Sequence, residues 1–148
     1  VPIPKLGNVR RAQKLELLAG IPLFASCSRR ELSLLAALTV DRELPAGAVL
    51  TREGQAGGVA YIIAWGQAEV LRSGRRLGRV GPGDVVGELS LIDGLPRSAT
   101  VQALTDLRVL AIDGRDLRRL LRRSPRIVRK LLEALAGRVR QVDARTRL

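Results

Sequence analysis

The stretch VLTREGQAGGVAYIIAWGQAEVLRSGRRLGRVGPGDVV, residues 49–86, passes from apolar to turn-forming residues every few positions. Aliphatic and β-branched runs lie at 49–51, 59–63, 68–71 and 77–80. Gly57-Gly58, Gly66, Ser73-Gly74 and Gly81-Pro82-Gly83 divide them. No run is long enough for an amphipathic helix, and turn residues spaced by roughly 8–12 positions are the pattern of an antiparallel sandwich or barrel. The same texture starts at Thr39, passes Pro45-Ala46-Gly47, and continues beyond Gly94-Leu95-Pro96 through the runs 99–103 and 107–112. Residues 39–113 therefore read as one antiparallel β-barrel.

On both sides of the barrel the period changes to that of a helix. Leu15 and Leu18, then Leu32, Leu35, Ala36 and Leu38, recur at three- and four-residue steps, so residues 9–38 read as two helical segments broken at Gly20-Ile21-Pro22. Ser28 followed by Glu31 has the spacing of a capping box that opens the second segment. Residues 114–145 carry the stripe Leu117, Leu120, Leu121, Ile127, Val128, Leu131, Leu132, Leu135, Val139 and Val142, interrupted at Ser124-Pro125. Proline suits the first turn of a new helix, so two C-terminal helices are predicted. The fold class is mainly β with flanking α, and residues 1–148 form one domain without internal repeats.

Composition removes whole classes of chemistry. The chain has no His and one cysteine, Cys27, so it cannot assemble a Ser-His-Asp triad, a Cys-His pair, a His-ligated metal or a thiolate cage. No catalytic residue, metal site or catalytic cofactor is expected, and the chain is not read as an enzyme. A lone thiol fits a reducing compartment, and neither a signal peptide nor an apolar run of about 20 residues is present, so a cytoplasmic location with no membrane segment is expected. The chain has no Met, even at the start, and it is expected to be a piece of a longer protein. Net charge is +12, and residues 115–148 hold 12 basic residues against three acidic ones. That excess could draw phosphate backbones nonspecifically. However, 23 of the 26 basic residues are Arg, a bias genome composition can generate, and the last 34 residues leave no room for a separate helix-turn-helix. Nucleic acid is not an expected partner of this chain.

The run Gly87-Glu88-Leu89-Ser90-Leu91-Ile92-Asp93-Gly94-Leu95-Pro96-Arg97-Ser98-Ala99-Thr100 interrupts the β texture with about one turn of helix-compatible residues. A short helix here presents free backbone N–H groups to an anion, and Gly87 allows a ligand close to the main chain. Arg97, after a rigidifying proline, offers a planar two-toothed grip on phosphate oxygens. Glu88 beside an anion site is consistent with a ligand that carries both a phosphate and a sugar hydroxyl.

This run resembles the phosphate-binding cassette of the cyclic nucleotide-binding domain family, whose members include catabolite activator proteins, regulatory subunits of cyclic-AMP-dependent kinase and cyclic-nucleotide-gated channels. The likeness extends to Ile21-Pro22-Leu23-Phe24, Leu44-Pro45-Ala46-Gly47, Glu53-Gly54 with Gly57, Tyr61-Ile62-Ile63 with Gly66, and Gly81-Pro82-Gly83-Asp84. It implies an antiparallel jelly-roll barrel with N-terminal helices, a short internal phosphate-binding helix and two C-terminal helices, the last of them a lid. It also implies that Glu88 binds the ribose 2′-hydroxyl, that Arg97 binds the cyclic phosphate, and that Gly87, Leu89, Ser90 and Ala99 supply backbone groups. Ser98 stands where some cyclic-GMP-selective members have Thr, which leaves the base open with a lean toward cyclic AMP over cyclic GMP. Arg138, three residues beyond Leu135, matches the position from which some bacterial channels present an arginine to the base. Val86 and Gly58 depart from the family's frequent Phe and acidic residue, which bears on packing and loop geometry. The implied function is a regulatory cyclic-nucleotide-binding module, monomeric or homodimeric, that controls an attached effector domain. The competing reading is a ligand-free barrel that binds nucleic acid or acts as a scaffold through its basic C-terminal helices.

Overall fold

The computed structural model describes residues 10–88 and 90–146. Two helices open the chain, α1 (Arg11–Ala19) and α2 (Arg29–Ala36), with a 3₁₀ turn (Pro22–Phe24) between them. Strands β1 (Val40–Leu44), β2 (Val49–Thr51), β3 (Val59–Trp65), β4 (Ala68–Arg72), β5 (Arg75–Val80) and β6 (Val85–Val86) follow. After the one-turn helix α3 (Ser90–Asp93) come β7 (Thr100–Ala103), β8 (Leu107–Asp113) and the helices α4 (Gly114–Arg123) and α5 (Pro125–Thr146). The predicted capping box is present: Glu31 N–H donates to Ser28 Oγ at 3.2 Å and Ser28 N–H to Glu31 Oε1 at 2.7 Å. Ser124 separates the last two helices, its N–H donating to Leu121 O and its carbonyl accepting from Val128 N–H.

The strands form two antiparallel four-stranded sheets, ordered β1-β8-β3-β6 and β2-β7-β4-β5. The predicted jelly-roll topology of strands and flanking helices is present, but the barrel is not closed. Two of its edge strands are short: β6 contributes two residues, pairing Tyr61 with Val86 and Ile62 with Val85, and β2 contributes three. Two strands carry no run that the sequence pattern marks. β1 holds Asp41, Arg42 and Glu43 and is a strand because β8 pairs with it over its whole length, while β6 is too short to show a period.

β8 shows why one sheet organises the molecule. Leu107 and Val109 point between the sheets, toward Leu50, Ala68, Val101 and Ala103. Leu110 and Ile112 join Ala60 and Ile62 of β3 in a second cluster with Leu18, Phe24, Leu35, Leu117, Ile127 and Leu131 from the helices. A strand covered on both faces reads as a continuous apolar run instead of alternating, which is the pattern of residues 109–112. The helices are thus seated on the back of the sheet that carries β6 and, directly after it, the cassette.

Candidate ligand site

The cassette starts where β6 ends. Gly87 has φ +80°, a left-handed conformation that lets the chain leave the sheet, and α3 then takes only one turn before Gly94. Leu91 is fully buried in the helical cluster and pins that turn. Arg118 of α4 donates to Leu91 O at 3.3 Å, and Gly114 N–H donates to Gly58 O at 2.6 Å, so the start of α4 lies directly against α3 and the loop before β3. The main chain of Arg97 is held on both sides, its N–H by Gln55 O at 2.8 Å and its carbonyl by Gly54 N–H at 2.9 Å. Those bonds point the side chain inward.

Arg97 donates from Nη2 to Val59 O at 2.5 Å, whereas its Nη1 is buried without a partner. Burial pushes its guanidinium pKa down, so the site holds a cation poorly solvated by water. The surrounding glycines make room for it: a Cβ on Gly87 would lie 2.2 Å from Nη1, and one on Gly57 2.6 Å from Nε. Glu88 approaches from the other side. Its Oε1 accepts from Nη2 of Arg138 on α5 at 2.5 Å, and its Oε2 is buried with no partner.

Both groups line one cavity of about 300 Å³ walled by Val70, Val80, Val85, Val86 and Val101. A buried donor and a buried acceptor without partners in one apolar-walled pocket suit a ligand that carries an anionic group and a hydroxyl. Ser90, Ser98 and Ala99 line the cavity beside Gly87, Glu88 and Arg97. The Ala99 carbonyl accepts from Thr51 Oγ1 and the Ser98 carbonyl from Arg72 Nε, both at 3.1 Å, which fixes the end of the cassette. Leu89 lies outside the described residues. Neither Leu135, which packs against the helical cluster, nor Arg138 lines the cavity, and Arg138 is joined to it only through its pair with Glu88. Among the described residues no group of His, Cys, Asp and Glu could hold a metal ion, and no helix is long and apolar enough to cross a membrane.

Two contributors carry no mark in the sequence, the Val59 carbonyl that receives Arg97 and Lys130. Gly57 belongs to the family likeness and to the Gly57-Gly58 turn, and its missing Cβ is also the arginine's clearance. Lys130 pairs with Glu31, tying α5 to α2, and was one basic residue among many.

The sequence profile described as "Cyclic nucleotide-binding domain" matches residues 41–124. The cyclic AMP receptor protein of Thermus thermophilus is 33% identical over 84% of this chain and 60% of its own length. A cyclic nucleotide-gated potassium channel of Rhizobium etli is 35% identical over 76% of this chain and 31% of its own. Among solved structures, the N-terminal domain of a transcriptional regulator from Streptomyces coelicolor superposes with a TM-score of 0.81 at 34% identity, covering 88% of this chain and 94% of that one. The chain spans 60% or less of the length of these two curated relatives.

Proposed function

The chain belongs to the cyclic nucleotide-binding domain family, and from that membership we propose that it is a regulatory, non-catalytic module that binds cyclic AMP. The observation that carries this reading is the pair of unpartnered atoms, Arg97 Nη1 and Glu88 Oε2, in one cavity with Gly87, Ser90, Ser98 and Ala99. Arg97 takes the cyclic phosphate by a charge-assisted bond in a desolvated pocket, and Glu88 takes the ribose 2′-hydroxyl. The valines of β4, β5 and β6 give the purine an apolar wall.

Ligand binding acts through α5. The ligand's tighter grip on the arrangement with α5 closed over the cassette shifts the population toward it, and whatever is attached to α5 responds. Effector identity lies in the remainder of a longer, cytoplasmic protein. α5 leaves Leu132 and Val139 exposed at 61% and 67%, which supports contact with that attached domain or with a second copy of the chain. Titration calorimetry with cyclic AMP tests the reading: saturable one-site heat is expected. No heat, together with salt-sensitive DNA binding, would favour the ligand-free nucleic-acid or scaffolding alternative. Cyclic GMP in the same cell measures base preference, for which cyclic AMP is expected to bind more tightly.

A further inference from the structure

We propose that the joint between α4 and α5 is a docking site for an acidic peptide segment of a partner protein, one that carries a single apolar side chain between carboxylates. The groove at this joint shares no lining residue with the ligand cavity, so the proposal does not rest on the cyclic nucleotide reading.

The groove measures about 150 Å³ and is lined by Leu38, which follows α2, and by Asp116, Arg119, Leu120 and Arg123 of α4. Leu38 and Leu120 are partly buried against the helical cluster and supply its apolar surface, while Arg119 and Arg123 are exposed. A volume this small falls below the roughly 300–1,000 Å³ of small-molecule sites and suits one aliphatic side chain. The occupant is therefore a protruding residue of a larger partner.

The charge around the groove has no internal counterpart. Arg115 reaches Asp113 and Arg129 reaches Glu133, but among the described residues the exposed Arg119, Arg122, Arg123 and Arg126 make no ion pair. The helix dipole accounts for two of them, since Arg122 and Arg123 lie in the last turn of α4. It works against Arg126, which follows Pro125 in the first turn of α5, and Arg119 meets Arg123 at i,i+4, where like charges destabilise a helix. Planar guanidiniums kept together against those costs are matched to carboxylates, which they grip with two parallel bonds. Asp116 selects among polyanions. A phosphate backbone would set negative charge against that carboxylate and has nothing to fill the apolar groove, whereas a peptide brings main-chain N–H donors and an aliphatic side chain.

Fluorescence anisotropy on the whole chain tests this with three labelled probes: a peptide of aspartate and glutamate around one central leucine, the same peptide with serine for leucine, and an oligothymidylate of equal charge. The leucine peptide is expected to bind saturably, and the serine peptide roughly 5-fold more weakly because the groove stays unfilled. Arg119→Glu with Arg123→Glu is expected to weaken the leucine peptide at least about 10-fold, and the charge-neutral pair Arg119→Gln with Arg123→Gln about 3-fold. Arg75→Glu with Arg79→Glu makes the same change in net charge on exposed arginines of β5 and is expected to leave affinity within about twofold. No saturable binding of the leucine peptide below about 1 mM overturns the proposal. Equal binding of the leucine and serine peptides, or wild-type affinity in both α4 pairs, does so too. Equal weakening by the β5 pair would reduce binding to net charge, and tighter binding of oligothymidylate that the α4 pairs weaken would make the joint a nucleic-acid surface; either result overturns the peptide site. Matching far-ultraviolet dichroism and melting of the variants keeps loss of fold out of the comparison, and the Gln pair carries the test if charge reversal disturbs α4.

Discussion

Among the described residues α5 is tied to other elements by two cation–carboxylate pairs, Lys130 with Glu31 and Arg138 with Glu88, and their surroundings differ. In both, the carboxylate keeps a second oxygen buried without a partner. Around Glu31 that oxygen faces packed helices, the other accepts from Ser28 N–H and Lys130, and the pair sits beside Ile127 and Leu131. Around Glu88 the spare oxygen faces a cavity that also holds a spare donor, Nη1 of Arg97. The lesson is that an unsatisfied buried oxygen does not identify a ligand site by itself. Opposite unsatisfied charges across an open volume do.

The comparison breaks most sharply at Arg97. Arg97→Leu removes the cavity's cation and is expected to weaken cyclic AMP by about 2–4 kcal/mol while the free protein still folds, losing about 1 kcal/mol from the unpaired Val59 carbonyl. Calorimetry and thermal melting read the two effects separately, and affinity unchanged within about twofold would remove Arg97 from the site.

At Glu31 the effects are reversed. Lys130→Ala is expected to cost about 2 kcal/mol of stability by leaving a buried carboxylate unpaired, with any change in cyclic AMP affinity arising only through α5. The hydrogen bonds from Lys130 and Ser28 hold the Glu31 carboxyl at about 2, below its ordinary value. A depressed carboxyl pKa stabilises the fold at pH values above the ordinary carboxylate range, and that contribution is lost as pH falls through about 2. Denaturant titrations between about pH 5 and pH 2 should therefore show stability falling in wild type and falling less in Glu31→Gln. Equal slopes would mean the pair is not formed in solution.

Gly87→Ala sharpens the contrast from the backbone side. It adds a methyl 2.2 Å from Arg97 Nη1 at φ +80°. A loss of about 1–2 kcal/mol in both stability and cyclic AMP affinity is expected, since strain and displacement of the arginine fall on the same atoms. The smallest effect is kinetic: amide exchange across residues 131–142 should slow with saturating cyclic AMP, while exchange in α2 stays unchanged. Exchange in 131–142 that is indifferent to ligand would show that α5 does not close on it.

The same two regions show what a sequence reveals. The Ser28–Glu31 box was legible because capping is local chemistry at fixed spacing, and the break at Pro125 for the same reason. The β-region was legible through its turns, but β1 was hidden by Asp41, Arg42 and Glu43, whose strand state is imposed by β8 some 65 residues later. Glu88 and Arg97 stood out because their cassette is contiguous. Their partners are marked less directly: Val59 O is backbone with no side-chain signature, and Gly57 and Arg138 carry a mark only through the family resemblance, which assigns Arg138 to the base and not to Glu88, 50 residues before it. Their relation to the site is created by folding and has no local signature.

The joint at Gly114 shows how movement would pass through the molecule. β8 runs into α4 without an intervening loop, and the backbone of Gly114 meets Gly58 O while Arg118 grips Leu91 O. A Cβ at residue 114 would sit 3.0 Å from each of those two carbonyl oxygens, so there is no slack between the one-turn helix and the shaft that follows. A push on the cassette is delivered to α4 without backlash, as through a keyed coupling. A methyl group at that position would act as a shim, resetting the angle at which the two parts engage before any ligand arrives.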